Sequence, residues 1–589
     1  MTARTGTAVF RSSLLSATAR WAAAAAAAGP ALLAFNVSPS PTYLNQALAL
    51  ALWGGFVAVA AVCVDDRPPL ARALRDAALP AAALGLLWLA ALWSWGPGAL
   101  PSGLALSSLG LLLAAGLLLL SGAAVGAGAQ AVPLGLMFFA GWVLAGVLGA
   151  LIGALQVFAP SLPDGDWIAR SGLPGRAVGN LRQPNHLSSL LLWSAMALVP
   201  LIELGRLRRG LGAALFALLV LAVVLTASRT GVLGIGLLVL WGLFDRRLSG
   251  RTRLLLLLSP LLYLLAWLGL AAWAEVSRHA FGGEARLAEA DLSGSRFGIW
   301  ANTLALIRQQ PWTGVGLGEF NLAWTLTPFP GRPVAFFDHT HNLLLQLAAE
   351  LGLPLAALVI GLLLAALWQV WQRSGQAAQP AAVMRRTAWM MLLLIALHSQ
   401  LEYPLWYAYF LLPTAWLLGY GLARPAGAEA AAPAAATPTR PLFVAGVVLA
   451  IGGALSLVDY ARVAMIFAPP RDGTPLAQRI ADGQRSWLFS HHASYAAVTI
   501  DDRLPASDPA FADAPHYLLD ARLMMAWARA LERSGEHDKA RYVAQRLREF
   551  RNPQADEFFE PCDDAVPGAP VPFQCQAPSR PLGWRDFVR

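Results

Sequence analysis

Four short polar clusters interrupt a long apolar sequence, and each carries side chains able to bind or move charge. The richest ends in Asp338-His339-Thr340-His341-Asn342, which opens a leucine-rich stretch. At a helix N-terminus the positive end of the dipole disfavours imidazolium, so His341, with His339 second, is placed to accept a proton near neutral pH. The same segment holds Gly294-Ser295-Arg296-Phe297-Gly298 and Gly314-Val315-Gly316-Leu317-Gly318-Glu319. An arginine fork suits phosphate oxygens. A glycine run allows close backbone approach to a ligand, although turn formation is the better explanation of it.

The second cluster is Asn180-Leu181-Arg182-Gln183-Pro184-Asn185-His186. Proline and Asn185 near a helix start are ordinary entry chemistry; Arg182, Gln183 and His186 are additional and read as ligand-binding groups. Thr226-Ala227-Ser228-Arg229-Thr230-Gly231 is a polar knot between two apolar runs. Its alternatives are a snorkelling anchor and a polar pocket. Last comes His398-Ser399-Gln400-Leu401-Glu402-Tyr403-Pro404-Leu405-Trp406-Tyr407, where Pro404 breaks a helix and Glu402 lifts the segment above a simple aromatic belt. His339, His341, Asp338 and Glu402 also offer metal-ligand types, but no third ligand stands at signature spacing, so no metal or other cofactor is assigned.

The elements that must hold these groups are membrane helices. Of 589 residues, 57% are hydrophobic and 13% charged, and the mean hydropathy is +0.54. Soluble enzymes carry about twice that charged fraction, roughly a quarter. With about 20 apolar residues needed per span, about 13 runs are expected, from 14–35 to 441–460, among them 254–274, 342–370 and 404–423. The first run has no small-residue cleavage site and reads as a retained helix. Arginines fall in the short loops 65–76, 206–209, 245–253, 372–386 and 424–440, all on one side if the N-terminus is cytoplasmic. Segments 159–184 and 275–341, the Glu402 junction and everything after 460 then lie on the periplasmic face.

Residues 461–589 differ in composition: 33 of 129 are charged, against 44 of the preceding 460. They read as a soluble helical domain. Within it 515–533 and 536–550 form two helices joined at Gly535, similar to one tetratricopeptide hairpin, a weak signal since such repeats need about three units. The alanine- and proline-rich 425–441 stretch reads as a flexible inside loop. Cys562 and Cys575 lie together in the tail and pair if it is outside the cytoplasm, whereas Cys63 sits in an apolar run. The net charge of +9 is loop arginine, so nucleic acid is excluded as a partner. No Walker, Rossmann, CxxC or HExxH motif occurs, which excludes an ATP-driven pump. The fold class is all-α and polytopic: 1–460 transmembrane, with 275–341 as a large periplasmic loop, and 461–589 a small periplasmic α-helical domain.

Arginines, a candidate base, a carboxylate and tyrosines at one face suit a lipid-linked pyrophosphate held while its sugar is transferred. The 180–186 and 338–342 motifs, Glu350-Leu351-Gly352 and the 398–407 motif resemble bacterial protein O-oligosaccharyltransferases of the PglL type, within the O-antigen ligase and polymerase superfamily. The resemblance runs from about residue 30 to the C-terminus. It implies transfer of a preassembled glycan, en bloc and without metal or ATP, from undecaprenyl pyrophosphate to Ser or Thr of a periplasmic or pilin-type protein at the bacterial inner membrane. On this resemblance His341, His339, Glu402, Tyr403 and Tyr407 are the catalytic candidates. Arg182, Gln183, Asn185, His186, Arg229, Arg296, Glu319 and Asn342 are the substrate-binding ones. The alternatives are an O-antigen ligase with a lipid A core acceptor and a lipid-linked oligosaccharide flippase. The flippase class usually shows internal repeats, and none is seen.

The arginine distribution makes a topological prediction. Cysteines engineered into 275–341, beside Glu402 and into 461–589 should all react with a membrane-impermeant maleimide in intact cells. Protection at any one of them until permeabilisation overturns the orientation.

Overall fold

The computed structural model describes residues 2–63, 70–284, 292–424, 440–468, 473–501, 503–563 and 570–588; the side chains of 2–15, 63 and 292–295 are not described. The 65–69 part of one predicted inside loop and most of the alanine- and proline-rich 425–441 stretch therefore lie outside the described residues. Every described element is helical. Among the described residues, nine helices are long and apolar enough to cross a membrane, and Arg209–Leu225, Arg229–Phe244 and Ala408–Leu422 are apolar but shorter. The described chain is thus an all-α integral membrane protein whose candidate spans differ in length. The 342–370 run, for example, is two helices, Leu343–Leu351 and Leu353–Gln376, because Gly352 between them takes φ +75°.

The chain divides into two compact units. The first comprises Met1–Leu84, Leu113–Glu289 and Leu362–Leu455. Its centre is the Pro184–Glu203 helix, 89% buried over its most apolar stretch, which packs on Ala131–Phe158, Arg209–Leu225, Arg229–Phe244 and Ala381–His398. A helix apolar all round belongs inside such a bundle. Trp193 on it lies 4.7 Å from Trp142 and donates its indole N–H to the Met391 carbonyl at 2.9 Å. Beside it, Trp53, Phe138 and Trp416 form a second aromatic cluster, with Phe138 and Trp416 4.7 Å apart.

The second unit comprises Gly85–Leu112, Ala290–Gly361 and Ser456–Arg589. One core runs through it, from Ile299, Phe320 and Trp324 to Phe511, Leu523, Trp527, Leu547 and Phe550. The 290–361 segment and the tail therefore fold around shared side chains. The helix expected at 515–533 is two, Ala510–Tyr517 and Ala521–Arg533. Leu518 is extended at φ −151°, and Asp520 caps the second helix by accepting the Leu523 N–H at 2.9 Å. An aspartate cap competes with helix continuation. His537–Phe550 follows after Gly535 at φ +78°, giving the expected hairpin. Cys562 and Cys575 are joined by a disulfide.

Without a hydrophobic drive between helices in lipid, small residues decide how closely they pack. A Cβ on Gly419 would lie 2.0 Å from the Leu119 carbonyl oxygen, and one on Gly122 2.1 Å from that of Trp416. Gly236 faces open space. Gly419→Ala should lower the melting temperature of the detergent-purified protein, at an overpacking cost of about 1–3 kcal/mol, while Gly236→Ala leaves it unchanged or raises it. Equal melting temperatures for the two variants would refute this contact.

Candidate functional site

In the first unit, the entry to the Pro184–Glu203 helix gathers most of the predicted groups. Gln183, not Asn185, is its N-cap, and its side-chain oxygen accepts the His186 N–H at 2.7 Å. Asn185 is thereby free to link two other elements: its amide donates to Glu402 at 3.0 Å, and its oxygen accepts the Ser228 hydroxyl at 2.6 Å. Ser228 in turn caps Arg229–Phe244 and accepts a hydrogen bond from Ser188 at 3.1 Å. Two of the sequence clusters and the Glu402 junction are therefore one hydrogen-bonded assembly. Glu402 is 8% exposed.

Behind it lies an aromatic layer. His186 is buried, its Nδ1 3.0 Å from the Tyr409 hydroxyl and its ring 4.6 Å from Tyr407. Tyr403 stacks with Tyr407 at 6.1 Å, and Tyr407 lies 5.3 Å from Tyr409. His398 shares a 2.8 Å hydrogen bond with Ser189. Tyr409 is a member that the sequence reading missed; its alternation with Tyr407 was the available signal.

The arginines differ in what engages them. Arg182, at φ +57°, donates through Nη2 to the Ala34 carbonyl at 2.7 Å and the Gly165 carbonyl at 3.3 Å. Backbone carbonyls thus occupy part of a guanidinium expected to meet a ligand. Arg229 is exposed at the first turn of its helix. Arg296 is half-buried on Leu292–Gln309, in the second unit.

The histidine loop belongs to the second unit. Asn342 caps Leu343–Leu351, accepting the Leu345 N–H at 3.0 Å. His341 sits just outside the helix at φ +53°, with its ring 5.5 Å from Phe337. His339 pairs with Asp338 through Nδ1 at 2.9 Å. Thr340 between the two histidines anchors the loop: its carbonyl accepts from the Trp300 indole at 2.9 Å, its N–H donates to Gln346, and its hydroxyl donates to the Asn342 carbonyl. Gln346 continues to Glu350 at 3.0 Å. In the glycine run, a Cβ on Gly314 would lie 2.4 Å from the Glu350 carbonyl oxygen, so the close approach of this glycine is to the backbone at the end of that helix. Glu319 is buried against His516, 2.7 Å away, rather than facing outward with the loop.

Three family patterns match the sequence: one described as O-Antigen ligase over residues 214–360, one as Virulence factor membrane-bound polymerase, C-terminal, over 386–558, and one as Protein glycosylation ligase over 177–201. They cover the Arg229, histidine-loop, Glu402 and Asn185 clusters. The chain is 28% identical over 251 residues to a General O-oligosaccharyltransferase of Acinetobacter baylyi, aligning 41% of this chain with 43% of that protein. It is 27% identical over 261 residues to a ComP-specific O-oligosaccharyltransferase of the same organism, aligning 42% with 44%. The aligned part spans under half the length of either relative.

Glu350 precedes the candidate span that starts at Leu353. Burial pushes its carboxyl up to about 7, against the opposing hydrogen bonds from Gln346 and the Gly318 N–H. A folded-state value raised from 4.5 means a contribution to stability that is complete below about 4.5 and is lost as pH rises to about 7. Glu350→Gln keeps an acceptor and cannot ionise. Its melting temperature should rise relative to wild type between pH 5 and pH 7 and stay level above, the full gain being a few kcal/mol at about 1.36 per pH unit. A difference independent of pH would show that Glu350 is ionised throughout.

Proposed function

We propose that this chain, which carries the O-antigen ligase and protein glycosylation ligase patterns, transfers a preassembled glycan from undecaprenyl pyrophosphate to Ser or Thr hydroxyls of periplasmic or pilin-type proteins. The observation that carries this reading is the similarity to two O-oligosaccharyltransferases, joined to a histidine loop held rigidly at a helix start. The protein sits in the inner membrane, with its N-terminus cytoplasmic and its tail and 275–341 segment periplasmic; a disulfide in the tail fits an oxidising compartment.

In the reaction, a bond forms between the acceptor oxygen and the anomeric carbon while the bond from that carbon to the pyrophosphate oxygen breaks. The hydroxyl proton goes to His341, and undecaprenyl pyrophosphate leaves. Arg229 and Arg296 are the arginines assigned to the pyrophosphate; Arg182 shapes its own loop through the carbonyls it already holds. Glu402, Tyr403 and Tyr407 shape the acceptor side, held by Asn185 and His186. His339 is the second candidate base. The O-antigen ligase match over 214–360 favours a second reading, with lipid A core sugar as acceptor. Mass spectrometry of periplasmic proteins beside lipopolysaccharide gels, with and without this chain, separates the two acceptors.

A serine hydroxyl needs a proton acceptor as the new bond forms, and such groups contribute about 10²–10⁴-fold in rate. His341→Ala should lose transfer by about that factor while binding lipid-linked donor as wild type does, in a reconstituted assay with purified protein. Near-normal turnover by the variant would move the role to His339 or Glu402.

A further inference from the structure

A cavity of about 270 Å³ opens in the second unit. His516, Glu536, Lys539 and Asp586 supply its polar wall, and Phe511 and Trp527 are among its apolar lining. The histidine is the informative member. It is 7% exposed, and its Nδ1 lies 2.7 Å from Oε2 of Glu319, itself 5% exposed. The carboxylate at Nδ1 orients the ring, which lines the cavity. The other oxygen of Glu319, Oε1, is buried without a hydrogen bond. Burying a carboxylate is costly, and packing alone does not require one here; orienting His516 does.

The remaining polar groups are more exposed but each has a partner. Lys539 is held 2.7 Å from Glu536 and 5.9 Å from the Phe587 ring. Asp586 uses Oδ2 to accept the Gly583 N–H at 2.7 Å. The cavity thus presents two carboxylates, one ammonium and one imidazole beside aromatic side chains. A small anion would meet the carboxylates of Glu536 and Asp586. A cation would meet Lys539, and an apolar group would leave the polar wall unsatisfied. A ring of hydroxyls can both donate and accept, while its C–H face suits aromatic carbon. At this volume, just below the roughly 300–1,000 Å³ of drug-sized sites, the occupant is about one ring in size.

We propose that this cavity binds one neutral sugar residue of a glycan, with Glu319 as the residue that positions His516. The sugar belongs either to the lipid-linked donor or to a glycosylated protein. The inference extends the transfer reading, and its first test reads binding alone, so the two can fail separately.

The test is saturation-transfer NMR on the full purified chain in detergent, with methyl glycosides of glucose, galactose and N-acetylglucosamine as probes and a serine-rich pentapeptide as the rival. Saturation should reach the ring protons of at least one glycoside. The signal should be lost in His516→Gln, and also in Lys539→Gln and Asp586→Asn, two less buried substitutions whose unchanged melting temperatures guard against misfolding. No saturation of any glycoside overturns the proposal, as does a signal from the peptide alone or an equal glycoside signal in wild type and all three variants. In transfer assays, a raised donor KM in the Lys539 and Asp586 variants assigns the site to the donor glycan. An unchanged donor KM with weakened inhibition by glycosylated product assigns it to the product.

Discussion

Non-helical backbone buried in a membrane protein survives only where side chains, other backbone or water held in a cavity satisfy its N–H and C=O. In the first unit three buried side-chain amides, Asn45, Gln156 and Asn180, serve in this way. Gln156, buried in the first unit, accepts the Val178 and Gly179 N–H groups and donates to the Ala169 carbonyl. Asn180 accepts the Ala169 N–H and donates to the Leu32 carbonyl. Asn45 donates to the Pro30 and Leu33 carbonyls. Each amide carries donor and acceptor at fixed spacing, so one side chain can close a break that would otherwise leave two orphans. The loop leading to Arg182 and His186 exists in its shape because of Gln156 and Asn180. The positions of the candidate groups follow from that.

The same logic separates what was legible in the sequence from what was not. Apolar runs located the helices because hydropathy is summed over about 20 residues and survives local error. The helix start at Asn342 was legible because capping is a local contact spanning three residues. Breaks inside a run were harder: Gly352 ends one helix through a positive φ that a hydropathy window does not register. Long-range pairings left little local trace. Tyr409 meets His186 across 223 positions, and His516 meets Glu319 across 197. Glu319 therefore read as a loop carboxylate, whereas its partner is a tail histidine. Arg182 read as a ligand fork, whereas the Ala34 carbonyl from a distant segment and the Gly165 carbonyl of its own loop hold part of it.

Charge placement follows from solvation. In the first unit Arg386, 2% exposed, has its Nε 2.7 Å from the Asp245 carboxylate. Buried charges persist only when paired, and removing one partner of such a pair costs more than the pair contributes. Arg229 is the opposite case: it is exposed, and Ser228 rather than the arginine satisfies the helix start. A cation not required by the local structure is the kind expected to serve a ligand. The contrast between Arg182 and Arg229 thus comes from what each holds.

In the second unit the histidine segment depends on the tail for its shape. Arg332 is 1% exposed, with its guanidinium 4.9 Å from the Trp324 ring and 4.5 Å from Phe550, and its Nε 3.4 Å from Glu549. Burial lowers it to about 10, which leaves it charged at neutral pH. Asn321 accepts the Leu519 N–H, and the Tyr542 hydroxyl donates to the Leu326 carbonyl at 2.6 Å. These polar ties join residues roughly 200 positions apart, around the single core that also holds Phe320 and Phe550. A segment rich in glycine and proline has little structure of its own, so the tail supplies the surface on which it sets. The composition shift at 461 marks a change in solvent exposure along the chain; the folding unit it belongs to includes the histidine loop, and the rigidity available to His339 and His341 is that of the shared core.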